Sequence, residues 1–185
     1  PACPPIPGAD LPGVVTSDGL LDKQDMFGHL IIIGGGVIGM EFASIYSSLG
    51  HPVTVIEALD RILPGMDKEI AQNLKMILKK RGTDIHTGAR VEEILRAEDG
   101  RGLACRFVEK DKAWEVTADG ILIATGRRAY TGGLISEESS QDIKDMAMER
   151  GRIVTDGNHE TSVPGIYAIG DVAGGIQLAH AATAQ

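Results

Sequence analysis

Leu30-Ile31-Ile32-Ile33-Gly34-Gly35-Gly36-Val37-Ile38-Gly39-Met40-Glu41 decides the fold of this 185-residue chain. Four β-favouring apolar residues run straight into Gly-x-Gly-x-x-Gly, and a helix-compatible segment follows to Leu49. Strand, glycine turn and helix in that order suit a dinucleotide pyrophosphate. Gly34 allows the tight turn, Gly36 lets backbone amides approach the phosphates, and Gly39 lets helix and strand pack closely. The helix N-terminus then offers unpaired N–H groups and partial positive charge to the anion. Gly34, Gly35, Gly36, Val37, Ile38, Gly39, Met40 and Glu41 form the candidate cofactor-binding segment. A second apolar run, Val53-Thr54-Val55-Ile56, ends in Glu57. An acid about 20 residues past the glycines can accept from ribose hydroxyls.

The pattern around this unit is β-α-β: strand 29–33, helix 37–49, strand 53–57. Gly50 closes the helix and Pro52 precedes the next strand. Asp67 reads as the N-cap of a second helix whose stripe is Ile70, Leu74, Ile77 and Leu78. Lys79, Lys80 and Arg81 favour its C-terminal dipole, Gly82 stops it, and Ile85 marks a third short strand. Short runs at 91–95, 103–108 and 114–117, with Asp99-Gly100 as a turn, predict an antiparallel meander. Gly120-Ile121-Leu122-Ile123-Ala124 follows as a strand buried on both faces, ending in Thr125-Gly126-Arg127-Arg128. The fold class expected is α/β, a Rossmann-like parallel sheet with an inserted antiparallel β-meander. Residues 1 to about 28 read as a proline-rich connector with a short helix near Ser17–Lys23. Residues 131–150 read as loop plus helix, and 153–155 and 166–169 as two further strands, the latter ending in Gly170-Asp171.

A formal net charge of -8 argues against nucleic acid or an anionic membrane as the main partner. Cys3 and Cys105 lie far apart and form no metal or C-x-x-C spacing, which fits a reducing compartment. No apolar run approaches the roughly 18 residues of a membrane helix, and no secretory signal pattern is present, so a cytoplasmic location is expected. The proline-rich start and the close inside a helix-like segment predict a piece of a longer protein.

Four ordered features carry a resemblance. They are the β-α-β fingerprint, Ala124-Thr125-Gly126-Arg127-Arg128, Thr161-Ser162-Val163-Pro164-Gly165-Ile166-Tyr167-Ala168-Ile169-Gly170-Asp171, and Leu178-Ala179-His180. Together they resemble the FAD-dependent pyridine nucleotide–disulfide oxidoreductases, with the closest likeness to the dihydrolipoamide dehydrogenases. The resemblance implies residues 1–28 as the connector from an FAD domain, 29–130 as an NAD-binding domain, and 131–185 as a partial return into the FAD domain. It implies two cofactors, NAD and FAD. Val91 would contact the adenine end, Gly126 the nicotinamide end, and Glu41 the nicotinamide–flavin junction. Asp171 would accept from a flavin-cofactor hydroxyl, and Gln177, Leu178, Ala179 and His180 would line the flavin side. It further implies a small-molecule or lipoyl dithiol substrate and a homodimer in the intact enzyme. Ala129, Tyr130 and Gln185 depart from the residues common in that family.

The family's redox cysteine pair and acid–base histidine have no counterpart here, so no catalytic residue is assigned. Cys3 and Cys105 cannot serve, because an exchanging pair must lie within disulfide reach and near the flavin. Glu57 predicts NAD over NADP, since a carboxylate repels a 2′-phosphate. Glu41 has a plain alternative as a helix-dipole acid. His29, His51, His86 and His159 show no metal spacing and read as surface or satisfied residues. The alternatives in function are a mercuric or glutathione-type reductase, an NADH oxidase, or a nucleotide-binding module without catalysis.

Overall fold

The computed structural model describes residues 1–98 and 100–185 and divides into two compact units, Pro1–Gly126 and Arg127–Gln185. The first contains β1 (Val14–Thr16), α1 (Ser17–Leu21), β2 (Leu30–Ile33), α2 (Val37–Ser48) and β3 (Val53–Glu57). It continues through α3 (Lys68–Lys80), β4 (Asp84–Thr87), β5 (Ala89–Arg96), β6 (Leu103–Glu109), β7 (Lys112–Ala118) and β8 (Gly120–Ile123). Five strands form a parallel sheet in the order β1-β8-β2-β3-β4, and β5-β6-β7 form a separate antiparallel meander.

The alternation of side chains along the parallel strands explains why the sheet is covered on both faces. Leu30, Ile32, Val53, Val55 and Leu122 join Met40, Ala43, Ala71 and Leu78 of the helices in one core. Ile31, Ile33, Ile56 and Ile121 point the other way, onto Ile94, Leu103, Cys105 and Phe107 of the meander. Continuous apolar strands are what a sheet buried on both faces requires.

Several expectations are corrected. The connector reading of residues 1–28 left out β1, whose Val14, Val15 and Thr16 pair in parallel with Ile121, Leu122 and Ile123 of β8. The helix there is shorter than expected, with Thr16 Oγ1 accepting from the Gly19 amide at its start. In α3, Asp67 caps as expected, but Ile70 and Ile77 are exposed. Leu78 is buried and Leu74 packs against the core as expected, but Ala71 joins them in place of Ile70 and Ile77, because a small side chain lets the helix lie close to the sheet. The expected turn at Asp99-Gly100 involves Asp99, which lies outside the described residues. The other meander turn is Lys110-Asp111, both at positive φ, the two-residue geometry that matches strand twist.

The second unit holds α4 (Gln141–Lys144), β9 (Met148–Glu149), β10 (Arg152–Ile153) and α5 (Ala179–Ala184) around a small cluster of Met146, Ile153 and Ala168. Residues 153–155 and 166–169 are not the expected strands. Only Arg152–Ile153 pairs as a strand, with β9. The segment 166–169 folds back on 159–161 around Pro164-Gly165, with single bridges at Glu160–Tyr167 and Thr155–Thr161. Its backbone groups are satisfied locally: the Thr161 amide donates to the Ile166 carbonyl at 2.8 Å and the Ala168 amide to the His159 carbonyl at 3.0 Å. Apolar alternation alone did not reveal that local pairing. Among the described residues, no helix is long and apolar enough to cross a membrane.

The two thiols differ sharply. Cys105 lies inside the sheet–meander core and burial pushes its pKa up from 9.0 to about 12, whereas Cys3 is exposed. Native protein at pH 8 is therefore expected to release one equivalent of chromophore rapidly from dithionitrobenzoate, and the second only on unfolding. Two fast equivalents would contradict the buried placement. Because the fold favours the protonated thiol, the stabilisation it gives is present below pH 9.0 and declines as pH rises towards about 12.

Candidate nucleotide-binding site

The carboxyl ends of β8, β2 and β3 lie level, with Ile33 opposite both Ile123 and Ile56. From β2 the chain proceeds to β3 and β4 on one side, while β8 and β1 lie on the other. Ligands of open parallel sheets bind outside such a switch point, at the carboxyl ends of the strands. Gly34, Glu57 and Ala124 sit there.

A hypothetical Cβ separates the glycines of the turn. At Gly34, φ is +114° and a Cβ would lie 2.4 Å from the Ala124 carbonyl oxygen. At Gly39 it would lie 2.1 Å from the Gly34 carbonyl oxygen, so helix and strand need the bare backbone. At Gly35 it would press on the Glu57 side chain at 3.0 Å. At Gly36 it would meet nothing within 4 Å, and the backbone there has an ordinary φ of -75°. No contact within the protein accounts for glycine at this position. The space suits a group that approaches the backbone from outside.

Gly36 is also the N-cap of α2, which no side chain caps, whereas α3 is closed by the Asp67 carboxylate. The first-turn amides of α2 are thus left for an anion. Beside them stands Glu57, 8% exposed, with Oε2 accepting from the Gly35 amide and Oε1 from the Leu59 amide at 2.7 Å. A carboxylate has about four lone-pair directions, so two remain for hydroxyl donors. The segment after Glu57 folds back on the glycine turn: the Leu63 amide donates to the Gly35 carbonyl at 2.8 Å, with Leu63 at a positive φ of 49°.

The remaining candidates fall in both units. In the first, Val37 and Glu41 are exposed, Ile38 is half-buried, and Met40 is buried in the helix-side core. Val91 is half-buried beside a β-bulge between Val91 and Glu93, a device that re-aims side chains. Gly126 is exposed at φ +133°, and its carbonyl accepts from the Ala2 amide at 2.8 Å, while Thr125 Oγ1 donates to the Ala2 carbonyl at 2.9 Å. In the second unit, Asp171 lies in a 3₁₀ turn rather than at a strand end, and Gln177, Leu178, Ala179 and His180 are exposed. Leu59 and Leu63 were missed. The apolar pair Ile62-Leu63 inside an otherwise turn-like stretch was the available signal of a buried loop.

Residues 1–185 match the sequence profile described as pyridine nucleotide-disulphide oxidoreductase. The chain belongs to that family. The dihydrolipoamide dehydrogenase of Chaetomium thermophilum is 39% identical over 181 residues, covering 96% of this chain and 35% of the relative. The probable pyridine nucleotide-disulfide oxidoreductase RclA of Escherichia coli is 40% identical over 178 residues, covering 96% of this chain and 38% of the relative. Among solved structures, LpdA of Mycobacterium tuberculosis superimposes with a TM-score of 0.83 at 30% identity, covering 100% of this chain and 38% of that one. The chain thus spans well under half the length of these pyridine nucleotide-disulphide oxidoreductases.

Proposed function

We propose that the site at the β2–α2 turn binds NAD, and that the chain is the NAD-binding portion of a flavoenzyme of the dihydrolipoamide dehydrogenase type. The observation that carries this is the open space over Gly36 at the N-terminus of α2, an end that no side chain caps. Family membership supplies the class of redox partner. NAD-binding residues run from about 29 to 130, and residues 131–185 belong to a second, FAD-binding body through Asp171, Gln177, Leu178, Ala179 and His180. Val91 and Gly126 face the two ends of the dinucleotide, and Glu41 the nicotinamide. In the whole protein, a cytoplasmic homodimer, a dithiol such as a lipoyl group gives up two electrons through a disulfide and the flavin to NAD. The cofactors supply the hydride chemistry when bound; this chain's residues bind and orient.

Glu57 sets the preference for NAD. Its carboxylate lies where the adenosine ribose hydroxyls would donate, and a 2′-phosphate there would bring like charges together. Calorimetric titration is expected to show NADH binding at least tenfold more tightly than NADPH, about 1.4 kcal/mol. Glu57→Ala should erase that difference. Equal affinities for the two, unaltered by Glu57→Ala, would overturn the assignment.

A second reading, a related flavin disulfide reductase, is supported by the comparable identity to the Escherichia coli protein. Steady-state assays of the whole protein with dihydrolipoamide separate the two. Turnover with NAD supports the first reading, and its absence alongside disulfide-dependent NADH oxidation supports the second.

A further inference from the structure

One polar cluster around a buried histidine has no part in the site as described. His86, on edge strand β4, is 7% exposed, yet its ring touches two carboxylates: Nδ1 lies 2.7 Å from Glu109 Oε2 and Nε2 lies 2.9 Å from Asp84 Oδ2. An ionised carboxylate only accepts, so whichever nitrogen carries the proton donates to its neighbour, the choice resting with the tautomer of the ring. Phe107 and Trp114 flank it, with centroids at 4.8 and 5.4 Å. Polar contacts to a ring packed in this way hold their partners in one geometry.

What they hold is a corner. Two residues after His86 the chain turns at Gly88, at φ +66°, to leave the parallel sheet for the meander. The first meander residue, Ala89, pairs in register with Glu109. The His86–Glu109 contact therefore closes a small loop across a glycine hinge. The Gly88 amide donates to the Leu59 carbonyl at 2.6 Å, and the Leu59 amide donates to Glu57 Oε1 at 2.7 Å. One continuous series of bonds thus runs from the meander to the acid of the nucleotide site.

We propose that His86 is a positioning residue for dinucleotide binding, acting through Gly88 and Leu59 on the orientation of the Glu57 carboxylate. The inference rests on the reading of Glu57 as the ribose-binding acid. With the corner braced, the Leu59 peptide is fixed at both its amide and its carbonyl, and Glu57 keeps Oε1 on that amide while Oε2 stays on the Gly35 amide. Without the brace, the Gly88 corner is held only by its flanking ladder pairs, Thr87 with Glu57 and Ala89 with Glu109, and the Leu59 peptide it anchors gains room to shift.

The test is a double-mutant cycle on the 185-residue chain, read by calorimetry with NADH. His86→Gln is expected to weaken binding about five- to tenfold in the wild-type background. In the Glu57→Ala background it should change binding less than twofold, because the group it acts through is gone. A merely structural role would lower the melting temperature but weaken NADH by the same factor in both backgrounds, and that result overturns the inference while leaving the NAD assignment intact. Wild-type protein that fails to bind NADH overturns the NAD assignment itself. Glu109→Gln carries the same cycle if His86→Gln does not fold. Trp114, the chain's one tryptophan, adds a second readout. Its emission should shift on saturation with NAD⁺, and this shift should vanish in His86→Gln. An emission unchanged by NAD⁺ in wild-type protein that binds it would contradict coupling along this route.

Discussion

Gly36→Val is expected to abolish NADH binding while leaving the protein folded. The added side chain enters a region where no protein atom lies within 4 Å of the Cβ position, and φ of -75° is comfortable for any residue. The only cost within the protein is a poorer N-cap for α2, about 1 kcal/mol. That corresponds to a melting temperature lower by roughly 2–4 °C in a chain of this size. A bound pyrophosphate, by contrast, would have to occupy the space taken by the valine methyl groups. The expected loss is at least about 100-fold in affinity, or roughly 2.7 kcal/mol. Calorimetry and a thermal melt on the same sample decide the matter. Binding retained within about threefold in a folded variant would mean that the phosphates do not lie on the Gly36 backbone.

Gly39→Ala, three residues away and chemically smaller, is expected to do the reverse. Its Cβ would stand 2.1 Å from the Gly34 carbonyl oxygen and 3.2 Å from Ile32 Cγ2. Neither neighbour can yield, since one is backbone in the tight turn and the other a fully buried core side chain. Helix α2 would have to lift from β2, breaking close packing with Met40 and Ala43 in the same core. Forced overpacking of this kind costs about 3 kcal/mol, or roughly 10 °C in melting temperature. Urea or thermal unfolding measures it. A variant that melts within about 2 °C of wild type would show that helix and strand have slack here. The pair separates a glycine needed by the ligand from one needed by the fold, although the sequence motif gives them equal standing.

The parallel sheet, the two long helices and the meander were legible because each carries its own period. Leu30–Ile33 and Gly120–Ile123 are continuous apolar runs, and Asp67 and Gly82 punctuate α3 at both ends. The misses share a cause, which is that side-chain direction depends on neighbours in space. Ala71 displaced Ile70 from the buried face of α3 because approach to the sheet favoured the smaller residue. β1 is three residues of intermediate burial whose pairing partner, β8, lies about a hundred residues away, beyond any local pattern. Residues 166–169 alternate like a strand but satisfy their backbone through 159–161. At the site, the glycines and Glu57 were readable from spacing. Leu59, Leu63 and His86 were not, since their parts rest on backbone bonds and on a cross-layer contact that no motif encodes.

The bond from the Ala2 amide to the Gly126 carbonyl also bears on how this nucleotide module can be handled. Ala2 and Gly126 lie side by side, so the sheet, helices and meander between them are spanned by one pair of adjacent backbone segments. A body tethered in this way can be spliced into a surface loop of an unrelated host without stretching either side. Its two tethers can equally be joined by a few residues and the ring reopened at the Lys110-Asp111 hairpin, far along the chain from the glycine turn. Transplantation and circular permutation of the stretch between Ala2 and Gly126 are thus served by that single backbone pairing.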